Sequence, residues 1–284
     1  MDTEKGRSNF IRRLLGRTSA VIGLVTVLIF AVAAIFAPWI APHHYSYQDR
    51  EARPLEPSSS KYLLGTDDLA RDLLSRLIWG ARVSFLVGLI AVSVGCAIGV
   101  TLGSIAGYAG GTVDRLIMAL VDVAWSFPTL LLAIGLTAIM EPGLISCMLA
   151  LGLVTWPQYA RVVRGEFLVK KQTDFVESAR SLGASDLRII VRHILPHTIP
   201  PLIVIATLGM GSAILVEAAL SYLGLGVQPP LPSWGLIISR GRNYLYAKPL
   251  MSFSAGACIM LLVLGFNLLG DGLRDAIDPF TQDS

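Results

Sequence analysis

Residues 83–107 read VSFLVGLIAVSVGCAIGVTLGSIAG, a run of 25 positions without a charged side chain. A helix rises about 1.5 Å per residue, so this run is long enough to cross a hydrocarbon core of about 30 Å. Gly95, Gly99, Gly103 and Gly107 recur every four residues and share one face of that helix. Small residues in such a series let a second helix approach closely. The stretch therefore predicts a membrane-spanning helix packed against a neighbour.

Apolar runs of similar length recur along the chain. Together they give six predicted spans, near residues 18–41, 83–107, 116–140, 143–161, 197–225 and 250–271. The first run is longer than the apolar region of a signal peptide, which favours an uncleaved anchor. The mean hydropathy of +0.64 agrees with lipid as the solvent. No alternating pattern of a membrane β-strand is visible in the sequence. We therefore predict an all-α integral membrane protein with six transmembrane helices.

The distribution of Lys and Arg predicts the orientation of these spans. Fourteen of these residues flank the spans on the side of the N-terminus, and nine lie on the other side. Residues 1–17 are therefore predicted to be a cytoplasmic N-terminal segment, followed by a six-span domain over residues 18–284. Both termini are placed in the cytoplasm, and a long outer loop is placed at about residues 42–82.

One polar stretch interrupts this apolar chain, residues 174–196, DFVESARSLGASDLRIIVRHILP. Its six charges would cost about 2.5–3.5 kcal/mol each in lipid, so it is predicted to lie outside the membrane. Its apolar residues keep helical spacing in two groups. These are Phe175, Ala179 and Leu182, and then Leu187, Ile190, Val191 and Ile194. Two short amphipathic helices are predicted on the cytoplasmic face.

The residues between and after these helices fit their ends. Gly183 is suited to a left-handed C-terminal cap, Ser185 to the N-cap of the second helix, and Pro196 to the point where the chain returns to the membrane. Two interpretations stay open: the element rests in the lipid headgroups, or it docks another protein. The second apolar group either forms the docking face or packs on the membrane helices, leaving Gly183 to Ser185 projecting.

Two ionisable residues fall within predicted spans. Asp122 lies near the cytoplasmic end of the third span, where a structural role is favoured. Glu217 lies deeper in the fifth span, with Ser221 one turn later. A carboxyl group at that depth faces protein or water rather than lipid. Glu217 and Ser221 are therefore candidates for the translocation pathway, with an internal hydrogen bond as the alternative.

Several kinds of site are not predicted. Cys96, Cys147 and Cys258 fall in separate apolar runs without metal-ligand spacing and are interpreted as apolar fillers. His43 and His44 lack nearby ligands at metal spacing, so solvated histidines are favoured over a metal site. The sequence contains no GK[ST] phosphate loop, which argues against an ATP site in this chain. The net charge of +3 is too small and scattered to indicate a nucleic-acid partner.

The polar stretch also carries a family resemblance. Glu177-Ser178-Ala179, Gly183 and Leu195-Pro196 resemble the EAA signature of ATP-binding-cassette importer permeases at matching spacing, with Ser178 and His193 as departures. Residues 64–84, residues 229–235 and residues 266–275 are similar to segments of the dipeptide, oligopeptide and nickel importer permeases. Ala70 stands where that family usually has glycine.

The resemblance implies a type I ABC importer permease fold in the bacterial inner membrane. It implies as partners a second similar permease, two cytoplasmic ATPase subunits that hold ATP and magnesium, and an external solute-binding protein. The ATPases would contact a coupling element at about residues 162–196. Its contact residues would be Glu177, Ala179, Gly183, Ala184 and Ser185. The expected solute is a peptide or a related small molecule such as a nickel chelate or an opine.

Two other classes are weighed against this interpretation. An ion-gradient-driven secondary transporter would need coupling carboxylates near the midplane, and Glu217 is the one deep carboxylate in the predicted spans. A membrane-embedded enzyme would need clustered catalytic residues, and the sequence shows none. The permease interpretation is therefore preferred, with the secondary transporter as the alternative.

Overall fold

The computed structural model describes residues 13–277, a range that leaves out residues 1–12 of the predicted N-terminal segment and residues 278–284. Within that range the long elements are helices, and β-structure is limited to an isolated bridge between Thr66 and Asp72. The helices are α1 (Thr18–Ile35), α2 (Ala37–Ile40), α3 (Leu73–Ala109), α4 (Gly111–Trp125), α5 (Thr129–Ile139), α6 (Leu144–Lys170), α7 (Asp174–Ser181), α8 (Asp186–Arg188), α9 (Leu195–Tyr222), α10 (Trp234–Gly241) and α11 (Pro249–Ile277). A π-helix (Ile189–Ile194) joins α8 to α9, and a 3-10 turn (Arg242–Tyr244) follows α10. The predicted all-α membrane architecture is confirmed.

Four helical stretches are long and apolar enough to cross a membrane: α1, α3, the continuous stretch Asp186–Tyr222, and α11. The predicted third span, 116–140, is wrong as a single straight helix, because α4 and α5 meet at 89°. Pro128 explains the break, since proline lacks an N–H and disfavours helix at the residue before it. The bent pair counts as one further apolar span. The fourth predicted span coincides with α6, which has 27 residues but becomes polar towards Lys170.

Helix α3 begins ten residues before the predicted span, at Leu73. The Asp72 carboxylate accepts the Ser75 backbone N–H at 3.0 Å and caps the helix. Arg76, only 2% exposed, places Nε 3.3 Å from Asp67 Oδ2. Charged residues of the predicted outer loop are therefore paired inside the fold. The irregular segment ends at residue 72 instead of 82.

Helices α3 and α6 approach each other along the glycine series. A Cβ added at Gly99 would lie 2.5 Å from Tyr159 Cβ, and one added at Gly103 would lie 2.5 Å from the Ala160 carbonyl oxygen. Gly95 and Gly107 face the same helix. The neighbour of this series is thus a helix of the same chain. Helix α9 packs against both α3 and α6, and α11 packs against both α1 and α9.

Two ends of the helix bundle can be distinguished. The Gly183 end holds the turn between α7 and α8, together with the C-termini of α3, α6 and α11. The Trp234 end holds α10 and the N-termini of α3 and α11. Trp234 is fully buried there, and its indole N–H donates to the Leu77 carbonyl at 3.0 Å.

Residues 41–72 cross the Trp234 end as an ordered segment, which we call the strap. Buried Asp67 pairs with Arg71, whose Nη2 lies 2.6 Å away. Asp68 accepts from Arg240 at 3.3 Å, and the Lys248 ammonium donates to the Glu56 carbonyl. Together with the pair of Asp67 and Arg76, these contacts fix the strap to α3, to α10 and to the start of α11. Most of the predicted outer loop is thus an ordered segment whose charged side chains find partners.

The two adjacent histidines lie in different surroundings within the strap. His43 Nδ1 lies 3.5 Å from Asp72 Oδ2, and its ring stacks on Tyr47. His44 Nδ1 lies 2.7 Å from Ser46 Oγ. Each ring thus contacts protein groups rather than facing only solvent.

Candidate functional site

The turn at Gly183 forms the centre of the polar element. Gly183 has φ +80°, and its N–H donates to the Arg180 carbonyl at 3.0 Å. The Ala184 N–H donates to the Ala179 carbonyl at 3.1 Å. These two bonds are the Schellman arrangement that ends a helix at a left-handed residue. Ser185 occupies the N-cap position of α8, but its side chain makes no capping hydrogen bond.

An apolar cluster anchors the base of this turn to the bundle. Its buried members are Val163 and Phe167 of α6, Val176 of α7, and Ile189 and Ile194 of the π-helix. Buried Ala179 lies on the same side of α7 as Val176. The predicted face of Phe175, Ala179 and Leu182 is wrong, since Phe175 is 38% and Leu182 88% exposed. The helix turns its smaller apolar residues inward.

The tip of the element exposes apolar side chains on both sides of Gly183. Leu182 is 88% exposed and Leu187 is 71% exposed. Glu177 is exposed and lines a polar cavity of about 310 Å³ together with Lys171, Arg180 and other polar residues. An apolar pair beside a charged groove is a composition suited to contact with another protein.

The predicted second apolar group is split by the π-helix. Ile189 and Ile194 face the bundle, whereas Leu187 and Val191 face outward. The Leu195 N–H donates to the Ile190 carbonyl, five residues earlier, which is the π-helical hydrogen bond. The extra residue in that turn changes which side chains share a face. A spacing based on 3.6 residues per turn therefore assigned them wrongly.

The helix continues through Pro196, which the sequence predicted as the point where the chain returns to the membrane. Helical backbone runs from Asp186 through the π-helix and Pro196 to Tyr222. Proline is tolerated in the first turn of a helix, and the π-turn absorbs the missing hydrogen bond upstream. The projecting tip and α9 are thus parts of one continuous helical stretch.

Glu217 and Ser221 lie together on α9 near the Trp234 end. Both are 0% exposed, and Ser221 Oγ donates to Glu217 Oε1 at 2.7 Å. Ser221 Oγ also accepts the Val227 N–H at 3.0 Å, which holds the turn after α9. Glu217 Oε2 has no hydrogen-bond partner among the described residues. In this conformation the pair is fully buried and joins α9 to its following turn.

The other residues singled out from the sequence are dispersed. Asp122 is exposed and forms an ion pair with Arg161 at 2.6 Å, while Arg161 lies 3.9 Å above the Trp125 ring. Cys147 is buried, whereas Cys96 and Cys258 are partly buried, and all three are free thiols. The cysteines do not come together with the histidines.

Several polar residues with buried contacts were not predicted from the sequence. The ion pairs of Asp67 with Arg71 and Arg76 could have been suspected from their spacing in the segment before α3. Tyr159, whose buried hydroxyl lies against Gly209, and Lys248 gave no signal, because their partners are distant in the chain. Glu166, Lys170 and Arg274 line one cavity, and they were missed because Arg274 is distant in the chain from the other two.

Comparison with known proteins gives this geometry a family. Residues 99–283 match the model of the family described as the binding-protein-dependent transport system inner membrane component. The chain belongs to this permease family. Residues 8–57 also match the N-terminal transmembrane domain of oligopeptide transport permease C.

Curated relatives of the permease extend over most of its length. The dipeptide transport system permease protein DppC of Haemophilus influenzae is 44% identical over 92% of this chain and 90% of its own. The DppC of Alkalihalophilus pseudofirmus is 43% identical over 92% of this chain and 85% of its own. The glutathione transport system permease protein GsiD of Pectobacterium atrosepticum is 43% identical over 95% of this chain and 90% of its own.

A solved structure matches the fold of the permease. A chain of the MetNI methionine ABC transporter, in an inward-facing conformation, aligns with a TM-score of 0.59 at 21% identity. The alignment covers 72% of this chain and 98% of that one. At this identity the match establishes the ABC importer permease fold alone.

Family membership settles the broad class of activity. The permease is a multi-pass membrane component of an ATP-driven importer, and it is not an enzyme itself. Its family depends on a solute-binding protein and on ATPase subunits, and ATP belongs to those subunits. The ion-gradient-driven secondary transporter is therefore the less favoured alternative.

Proposed function

We propose that this chain is a permease subunit of an importer for small peptides. It pairs with a second, similar permease, two cytoplasmic ATPase subunits and an external solute-binding protein. The relatives that cover most of the chain are named for dipeptide and glutathione transport, and these support peptides over nickel chelates or opines. The Gly183 end faces the cytoplasm in this proposal, which the excess of Lys and Arg on that side supports.

The observation that carries the proposal is the exposed tip joined to a spanning helix. Leu182 and Leu187 protrude on either side of the Gly183 turn. Each is a large apolar side chain left in water unless a partner covers it. The partner in this proposal is an ATPase subunit, which also contacts Glu177, Ala184 and Ser185.

The mechanism follows from the continuity between the tip and α9. When the ATPases close on ATP, they displace the Gly183 turn. The helical stretch from Asp186 to Tyr222 has no loop that could absorb the displacement, so α9 moves with the turn. The motion re-orients α9 around a pathway shared with the second permease, which is a rigid-body form of alternating access.

Two variants test this coupling role. Gly183→Pro cannot adopt φ +80°, and Glu177→Lys reverses a charge at the polar cavity beside the tip. Both are expected to abolish solute-stimulated ATP hydrolysis in the assembled transporter while leaving membrane insertion intact. Glu141→Lys, an exposed acid at the opposite end, is the matched control. Normal stimulation in both variants would contradict the proposal.

The substrate is tested separately by uptake into proteoliposomes that hold the complete transporter. Labelled dipeptide should accumulate when ATP and the solute-binding protein are present. Uptake driven by an ion gradient in liposomes holding this chain alone would support the secondary transporter instead.

A further inference from the structure

A cavity of about 630 Å³ lies at the Gly183 end between α6, α9 and α11. One wall is a face of α9, where Pro200, Pro201, Val204 and Leu208 follow at helical spacing. At the end of this wall Leu208 lies against Gly270, where an added Cβ would come within 2.5 Å of Leu208 Cδ2. The volume is within the range of sites for small molecules, about 300–1,000 Å³. The apolar wall suits the side chains of a small ligand.

Charged groups of both signs surround the other end of this cavity. Lys170 of α6 and Arg274 of α11 supply two cations, and Glu166 supplies a carboxylate one turn before Lys170. Among residues 13–277, none of the three forms an ion pair. An apolar wall with a few charged groups at one end is the composition of a small-molecule site, and charge-assisted hydrogen bonds would hold a charged ligand there.

The backbone of α9 adds acceptors to this end. Pro200 and Pro201 have no N–H, so the carbonyl oxygens of Pro196 and His197 lack the donor that a helix supplies four residues later. His197 also lines the cavity. The cavity is thus lined by a carboxylate at Glu166 and by cationic donors at Lys170 and Arg274, next to a turn of α9 in which two carbonyls lack their usual helical donor.

We propose that this cavity binds a di- or tripeptide through its two charged termini. The peptide carboxylate lies between Lys170 and Arg274, and the ammonium lies at Glu166, beside the first turn of α9. The side chains rest on the Pro200 to Leu208 wall. The inference rests on the proposed peptide import and adds that this chain itself holds the peptide at the cytoplasmic end of its route.

A phospholipid is the competing occupant, and the geometry favours the peptide over it. An anionic headgroup offers no cation to pair with Glu166, which stands one turn from Lys170 and would be left beside a second negative charge. Two long acyl chains would extend past the apolar wall, which runs from Pro200 to Leu208, a rise of about 12 Å on a helix. A compact zwitterion with one or two apolar side chains meets both conditions.

Photolabelling tests the site in the complete transporter, reconstituted in nanodiscs without the solute-binding protein. The probe is a radiolabelled dipeptide that contains benzoylphenylalanine. We expect the label on residues 200–208, displaced by unlabelled dipeptide but at least tenfold less well by N-acetylated or C-amidated dipeptide. Lys170→Met and Arg274→Met should reduce labelling at least tenfold, and Glu166→Gln should reduce the preference for a free amino terminus. Arg115→Met is the control, because Arg115 is an exposed cation outside the cavity.

The outcomes separate this site from the proposed function. ATP-driven dipeptide uptake with label elsewhere, or with capped and free peptides competing equally in the unmutated transporter, overturns the site alone. Retained phospholipid in the cavity that dipeptide does not displace also overturns it. Failure of the unmutated transporter to import any dipeptide overturns the proposed function and the site together. The capped-peptide comparison uses the unmutated transporter, so it tests the site even where a variant misfolds.

Discussion

The Ala184 N–H donates to the Ala179 carbonyl across Gly183, over 3.1 Å, and this bond fixes the projecting turn. It requires Gly183 at φ +80°, a conformation that costs an L side chain about 1–2 kcal/mol. A Cβ at Gly183 would meet nothing within 4 Å, so the strain is purely conformational.

Gly183→Ala is therefore expected to weaken the turn by about 1 kcal/mol and to lower solute-stimulated ATP hydrolysis without abolishing it. ATPase assays of the assembled transporter measure this effect. Gly135→Ala is a matched control, because Gly135 also has open space but lies within α5. Equal activity of the two variants would show that the turn tolerates the strain.

Gly99→Ala and Gly103→Ala are expected to destabilise the packing of α3 against α6. The added methyl groups would meet Tyr159 Cβ and the Ala160 carbonyl oxygen at 2.5 Å, where backbone must move. Overpacking of this kind costs about 1–3 kcal/mol. Thermal unfolding in detergent should show a lower midpoint for both variants. Gly256→Ala is the control, because its new methyl group has open space. The expectation fails if all three variants unfold at the same midpoint.

Ala70→Gly is expected to stabilise the strap. Ala70 has φ +55°, and its carbonyl accepts the Asp49 N–H at 3.2 Å, so the turn forms despite the missing glycine. Relief of the left-handed strain should raise stability by about 1 kcal/mol, partly offset by the added freedom of glycine when unfolded. Hydrogen exchange of residues 45–72 should slow. Faster exchange would mean that the greater conformational entropy of glycine in the unfolded chain outweighs the relief of strain.

Acid is expected to loosen the strap through Asp49. Hydrogen bonds from Lys61 and Tyr62 hold the pKa of the Asp49 carboxyl well below its usual range. The hydrogen bond to Asp49 in turn raises the pKa of Lys61. A carboxyl group whose pKa is lowered by folding stabilises the folded state fully at any pH above its pKa in the unfolded chain, which is near 4. That stabilisation is lost as the pH falls from there through the lower pKa of the folded state. Limited proteolysis between pH 5 and pH 2 should therefore show increasing cleavage in the strap as the pH falls. Asp49→Asn should remove most of this pH dependence, and an unchanged profile would exclude Asp49 as its source.

Glu217→Gln separates a pathway role from a structural one. The proposed pathway role of Glu217 and Ser221 requires that α9 expose them in another state, because both are fully buried here. If they line the pathway, the variant should change the transport rate or the range of peptides accepted. If Glu217 only accepts the Ser221 hydrogen bond, Gln should preserve both, since its amide oxygen is also an acceptor. Uptake assays with several dipeptides distinguish these results.

Local patterns in the sequence were enough to predict much of the fold and part of the candidate site. Apolar runs identified the spanning helices, because each must be apolar over the membrane thickness whatever it packs against. Gly183 was found as the turn because the spacing around it and its conformational freedom are both local properties. The bend at Pro128 was missed, although its cause is local, because hydropathy alone does not register a change of helix direction.

The tertiary structure decided the features that depend on partners distant in the chain. Buried pairing of Arg76 with Asp67 placed charged residues inside α3, and the π-turn after Arg188 set which isoleucines face the bundle. Glu166, Lys170 and Arg274 meet only because α6 and α11 end beside the same face of α9. The sequence by itself thus determined which segments are helical and which lie outside lipid, since those depend on local composition. Which polar groups share one cavity depends on how the helices pack, and only the folded chain specifies that.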